Sequence, residues 1–213
     1  LYGVSLLFKP KDNVFFAKEG LVTVALAWII LSLVGALPFY LSGEIPSYID
    51  SFFEVVSGLT TTGATILEDP QVLSHGNMFW RSLCHWIGGM GVLVLLVALL
   101  PQASGRAIHM LRAEMPGPNV DKLVPKAKQT ARILYIIYIV MTIIEFILLL
   151  LGKMPVFESA IHALGTAGTG GFGVFADSIA SYSPYCQWVI TIFMFLFGIN
   201  FNLFFLCFLG KFS

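Results

Sequence analysis

Charge is scarce in this chain. Charged residues make up 11% of its 213 positions, against about 25% in an ordinary soluble domain. Too few polar groups remain to cover a globular surface, and with 57% hydrophobic residues the expected solvent is lipid. Basic and acidic side chains balance at 12 each, and no long Lys/Arg block occurs, which excludes the electrostatic footprint of a nucleic-acid binder. Cysteine is sparse too. Cys84, Cys186 and Cys207 each lie in or beside an apolar stretch, with no CxxC pair and no histidines at metal spacing. That excludes a disulfide framework and a zinc site, leaving small buried residues. A cleavable signal peptide is also missing ahead of the first apolar stretch, and the chain opens on Leu1. A fragment of a longer protein is therefore expected.

Long apolar runs are present instead. About 20 helical residues cross a bilayer, and four stretches suffice: about Leu21 to Ser42, Phe79 to Leu100, Arg132 to Leu151 and Cys186 to Leu209. Lys9, Lys11 and Lys18 precede the first span. Arg106, Arg112, Lys122, Lys126 and Lys128 lie between the second and third, and Lys211 follows the fourth. The positive-inside rule then puts the N-terminus, the middle linker and the C-terminus in the cytoplasm. The two outer segments carry Glu44, Asp50, Glu54, Glu68, Asp69, Glu158 and Asp177, an acidic face that would concentrate cations.

Both outer segments are too apolar for free loops. In the first, Ser47 and Asp50 form a capping-box-like start for Tyr48 to Ser57. In the second, Pro155 is placed as a first helical residue before Val156 to Ala163. Apolar helices this short cannot span, but they can be re-entrant. A Thr/Gly-rich segment follows each: Thr60-Thr61-Thr62-Gly63-Ala64-Thr65, and Gly168-Thr169-Gly170-Gly171-Phe172-Gly173. The chain thus reads as an internal repeat of span, short helix, Thr/Gly segment and span. Gly63 aligns with Gly171, with a shift of a few residues expected between helix and loop. The expected divisions are a cytoplasmic N-terminal segment 1–20, a first repeat 21–103, a cytoplasmic linker 104–129 and a second repeat 130–213.

Irregular backbone at membrane depth must be buried or line a watery cavity. Backbone carbonyls can replace the water around a potassium ion, and glycine reaches the φ values that aim them. Threonine adds a hydroxyl acceptor without charge, and a short helix ending at the segment points its negative dipole end at the cation. Neither segment holds a carboxylate, which argues against a calcium cage.

The order of these motifs resembles the Trk/Ktr/HKT family of potassium transporters, in its TrkH-type uptake branch. Ser57 to Thr65 looks like the family's first filter loop, and Trp80-Arg81-Ser82-Leu83-Cys84-His85-Trp86-Ile87-Gly88-Gly89-Met90-Gly91 like the start of the next span. Thr169 to Phe172 resembles the second filter loop and Phe197 to Phe201 the following span. The resemblance implies an all-α integral membrane protein of two span–re-entrant pore loop–span repeats, potassium-channel-like. Its filter residues would be Thr61, Thr62, Gly63, Thr169, Gly170 and Gly171, supported by Ala64, Phe172 and Arg81. It also implies potassium as the transported ion, no cofactor, and a plasma-membrane location (the inner membrane in a Gram-negative cell). A homodimer gated by a cytoplasmic nucleotide-binding subunit is implied as well. Two of the family's four repeats are represented here, so a truncated piece is expected, with the gating elements in the absent repeats.

Other readings carry less. Gly168, Gly170 and Gly173 match GxGxxG, but no strand precedes them, and no P-loop Lys follows. Arg81 either snorkels to the interface or braces the first filter loop. Glu145, inside the third span, is a functional candidate or half of a structural pair. His85 and His162 are expected to bond backbone, Gly88, Gly89 and Gly91 to permit close packing, and Asn200 and Asn202 to face the pore or bond across helices. No paired nucleophile and base supports an enzyme. The rival functions are a sodium-permeable or sodium-coupled transporter of the same fold and a non-conducting scaffold.

Overall fold

In the computed structural model, residues 17–91, 127–199, 201 and 204 are described. Within them the chain is helical, and no named strand occurs. Helix α1 (Ala17–Gly35) is followed directly by α2 (Leu37–Ser42). The break has a covalent cause: Pro38 has no N–H to donate. Carbonyls exposed there are taken by side chains, Gly35 O by the Trp80 indole at 2.9 Å and Leu33 O by the Tyr48 hydroxyl at 2.8 Å. The first expected span is therefore two helices rather than one. Helix α3 (Tyr48–Leu59) is capped by Ser47, whose side chain accepts from Asp50 N at 3.3 Å. A single 3-10 turn (Pro70–Val72) leads to α4 (His75–Met90).

The second half runs α5 (Ala127–Leu151), α6 (Val156–Ala167) and α7 (Pro184–Gly198). Pro155 is the residue before α6 rather than its first. Helix α3 packs on α1, α2 and α4; α4 packs on α6; and α6 packs on α5 and α7. Helix α4 thus stands between the two short helices. Its Gly88 lies against the Leu59 carbonyl at the end of α3, and its Gly89 against the Ala167 carbonyl at the end of α6. A Cβ at either would overlap backbone or a buried tyrosine hydroxyl, so close approach requires glycine here.

Among the described residues, two stretches, Val24–Ser42 and Arg132–Leu151, are long and apolar enough to cross a membrane. On α5 the sides are sorted at helical spacing. Leu134, Tyr138, Thr142, Glu145 and Leu149 are buried, while Ile133, Ile136, Val140, Ile143 and Ile147 are exposed. An outward face of β-branched aliphatics suits lipid and would be costly in water. The far ends of the second and fourth expected spans, residues 104–126 of the linker, Asn200, Asn202 and Cys207 lie outside the described residues, while 127–129 of the expected linker already belong to α5.

Inside, one core cluster joins Phe39, Val55, Leu59, Met78 and Cys84 to Ile161 and Val174 from the second half. A second joins Leu149, Met154, Cys186 and Ile190. Tyr138, Ala167 and Phe197 form a third, its tyrosine donating to Trp86 O at 2.9 Å.

Candidate filter segments and their supports

The two short helices correspond residue by residue. Tyr48 answers to Val156, Leu59 to Ala167, Thr61 to Thr169 and Gly63 to Gly171, always at one sequence interval. The shift expected between helix and loop does not exist. Their buried faces coincide as well: Ser51, Glu54, Val55 and Leu59 in α3, and Ser159, His162, Ala163 and Ala167 in α6. Even the leading serines act alike. Ser51 Oγ donates to Ile45 O at 3.1 Å, and Ser159 Oγ to Met154 O at 3.2 Å. Each hydroxyl ties its helix to the chain just before it.

Each helix ends on a left-handed threonine, although the longer cap bond comes one residue later in the second half, from Gly171 N–H to Gly165 O at 3.4 Å. Thr61 N–H bonds Gly58 O at 3.0 Å and Thr62 N–H bonds Ser57 O at 2.9 Å. Those are the two bonds of a Schellman cap, which wants a left-handed residue at its centre, ordinarily glycine. Here that residue is Thr61, with φ of 55°. In the second half it is Thr169, φ 56°, donating to Thr166 O at 2.7 Å. A β-branched residue in the left-handed region costs about 1–2 kcal/mol. Finding it at two matching positions points to function. Gly63 and Gly171 then take φ of 75° and 80°. Sequence reasoning placed the left-handed turns on glycine and missed the threonines.

The segments also meet. A methyl group built on Gly63 would overlap the Gly170 carbonyl, so the first segment's glycine lies flat against the second segment's backbone. Residue-after-glycine carbonyls turn back toward their own helices: Ala64 O accepts Ser57 Oγ at 2.5 Å, and Phe172 O faces Gly165.

Behind the segments lies a buried network. Arg81 does not snorkel; it is 2% exposed and pairs with Glu54, fully buried, at 2.5 Å. Glu54 was expected on the acidic outer face; it points inward instead. Its carboxylate accepts from Thr65 Oγ1 at 2.8 Å and from Ile66 N at 3.1 Å. Arg81 Nη1 donates to Gly173 O at 3.3 Å, and its guanidinium lies 3.5 Å from the centre of the Phe172 ring. On the next turn of α4, His85 stacks on the same ring at 4.0 Å. Expected to bond backbone, His85 has no hydrogen-bond partner for either ring nitrogen among the described residues. Its ring packs against Gly170 instead.

His162, also expected to bond backbone, bonds a side chain instead, Tyr182 Oη at 3.3 Å, and that hydroxyl donates to Glu158 at 2.8 Å. Burial, and after it the Glu158 carboxylate, pushes the Tyr182 hydroxyl well above its ordinary range. Ser74 caps α4, and Glu44 accepts from the Ser74 N–H at 2.9 Å. Its burial works against ionisation, but the bonds from Ser74 and Asn77 outweigh that and hold its carboxyl below the ordinary value. Glu145 is buried in α5. Thr166 of α6 is its polar neighbour, outside hydrogen-bond geometry, so the structural pair considered for Glu145 is not made among the described residues. No cluster of His, Cys, Asp or Glu able to hold a metal occurs there either.

A family described as "TrkH: Cation transport protein" matches residues 2–211. The chain belongs to the TrkH cation transport protein family. It is 40% identical over 199 residues to the Trk system potassium uptake protein TrkH of Salmonella typhimurium, covering 92% of this chain and 41% of that protein. It is 35% identical over 192 residues to the Trk system potassium uptake protein TrkG of Escherichia coli, covering 89% and 40%. Among solved structures, the potassium transporter TrkH from Vibrio parahaemolyticus superposes with a TM-score of 0.76 at 29% identity, over 99% of this chain and 43% of that one. The chain thus spans about two fifths of the length of the TrkH-family proteins it matches. The fold expectation stands at that level: a mostly helical chain that shares the fold of a membrane transporter.

Proposed function

We propose that this chain supplies half of a potassium-uptake pore, in which Thr61, Thr62 and Gly63 and, facing them, Thr169, Gly170 and Gly171 present backbone carbonyls to the ion. The single observation that carries this reading is the matched pair of strained turns. Two 12-residue helices each end in a left-handed threonine and a left-handed glycine, with one segment seated on the other. Such backbone is tolerated at membrane depth only where it is enclosed or lines an ion path. Both helix C-termini, with their partial negative charge, terminate there. The names of the relatives agree with potassium as the ion. In this reading α3 and α6 are re-entrant, each half is one span–loop–span repeat, and the repeats missing relative to the longer family members complete the ring. The protein would lie in the plasma membrane, N-terminus inside, as a homodimer with a cytoplasmic nucleotide-binding regulator.

The test uses the full-length protein containing this chain, expressed in cells that cannot take up potassium. Growth at low potassium and rubidium uptake are expected from the unaltered protein. Gly171→Ser should shift the balance from potassium toward sodium by roughly tenfold, about 1.4 kcal/mol. Sodium uptake without potassium uptake by the unaltered protein would favour the sodium-transporting alternative. No flux of potassium, rubidium or sodium would leave the scaffold reading.

A further inference from the structure

The ion pair behind the first segment is not confined to it. Arg81 and His85 lie one turn apart on α4 and grip one ring, Phe172, which belongs to the second segment. The same guanidinium holds Gly173 O. Through Glu54 it also holds Thr65 and Ile66, just beyond Gly63 in the first segment. One buried cation is therefore bonded directly to the second segment at Gly173, two residues past Gly171, and tied through Glu54 to Thr65, two residues past Gly63, in the first.

We propose that Arg81 is a positioning residue that fastens the two segments into a single unit and so sets how well the site discriminates potassium from sodium. This deepens the pore reading above and rests on it. The physical argument is one of compliance. A smaller cation is excluded only if carbonyls cannot close in on it, so whatever resists inward movement of both segments bears on selectivity. An ion pair between two buried groups resists displacement, because separating them leaves a charge uncompensated at low dielectric. The Phe172 ring adds a contact that a guanidinium makes well and an ammonium makes less well.

The experiment has two independent arms on the full-length protein in detergent and in liposomes. In liposomes the sodium-to-potassium permeability ratio is measured for the unaltered protein, Arg81→Lys, Arg81→Met and Phe172→Leu. Arg81→Met should raise the ratio at least tenfold and Phe172→Leu threefold or more, with Arg81→Lys restoring most of the loss. In detergent, amide hydrogen exchange is followed in peptides covering 61–66 and 169–174. Loss of Arg81 should speed exchange in both peptides together, and Phe172→Leu in the second only. A folded Arg81→Met with an unchanged ratio, or with faster exchange in the first peptide alone, overturns the coupling. Should Arg81→Met fail to fold, Phe172→Leu, which keeps the ion pair, decides by the same two measurements. If the unaltered protein passes no ions, the pore reading fails, and the exchange arm still decides whether Arg81 couples the segments.

Discussion

The first half of the chain fixes its Thr/Gly segment with its own carboxylate–guanidinium pair, whereas the second half adds only packing and uncharged hydrogen bonds to its own segment and takes the charged contact from Arg81 of the first half. Glu54 and His162 occupy matching positions on matching helices. Glu54 accepts two bonds from the chain beyond Gly63 and pairs with Arg81. His162 touches Gly173 only by packing and passes its hydrogen bond outward to Tyr182 and Glu158. Ser57 bonds the Ala64 carbonyl, whereas its counterpart Gly165 has no side chain, packs against the Phe172 carbonyl and accepts from Gly171 N–H at 3.4 Å. One backbone geometry is thus reached by two chemistries. What was kept between the halves is the turn, and what diverged is its wiring.

If that contrast is real, equivalent substitutions must have unequal effects. The largest gap is expected at the Glu54/His162 position. Glu54→Gln leaves the Arg81 charge buried and uncompensated and should cost about 3–5 kcal/mol. His162→Gln removes one neutral hydrogen bond and should cost about 0.5–1.5 kcal/mol. Thermal unfolding in detergent reads both, and equal losses would dissolve the distinction.

A smaller gap is expected at the glycines. Gly171→Ala meets nothing nearer than Met194 Cε at 3.8 Å, so it carries only the left-handed backbone cost, about 1–2 kcal/mol. Gly63→Ala carries that cost and also drives its methyl into the Gly170 carbonyl, adding about 1–3 kcal/mol of overpacking. Potassium uptake should therefore survive Gly171→Ala in part and Gly63→Ala barely at all. The reverse order would mean that the segments do not rest on each other as described.

Much of this was legible in the sequence, and the limits have physical causes. Both short helices, their Ser47 and Pro155 starts and the Gly63/Gly171 alignment follow from local rules: cap chemistry, apolar periodicity and the turn preference of glycine. The break at Pro38 follows from a missing N–H and could have been read, but the apolar run continued through it. Glu54 could not be placed, because a carboxylate in an outer segment reads as a surface charge until its partner is known. That partner, Arg81, lies on another helix. Thr61 and Thr169 were read as filter residues with hydroxyl acceptors, and no propensity rule puts a β-branched residue in the left-handed region. Tertiary packing imposes it.

The smallest effects are in pH, and the halves should fail at opposite ends of the scale. Glu44, which accepts from the N–H of the α4 cap residue Ser74 in the first half, has its carboxyl held below the ordinary value of 4.5 by Ser74 and Asn77, against the opposing effect of burial. A depressed acid stabilises the fold above its unfolded value, and that contribution is lost as pH falls below it. Tyr182, in the second half, has a hydroxyl raised above the ordinary value of 10.0 by burial and by Glu158. A raised group stabilises below its unfolded value, and the contribution fades as pH climbs past it. Melting temperatures of Glu44→Gln and the unaltered protein should therefore converge as pH drops through the range below 4.5. Those of Tyr182→Phe and the unaltered protein should instead converge as pH rises beyond 10. Both groups are partly open to solvent, so shifts of no more than a few degrees are expected. If the two variants converged at the same end of the scale, one of these hydrogen-bond networks would be assigned wrongly. Independence would show as each substitution removing the sensitivity at its own end and leaving the other untouched.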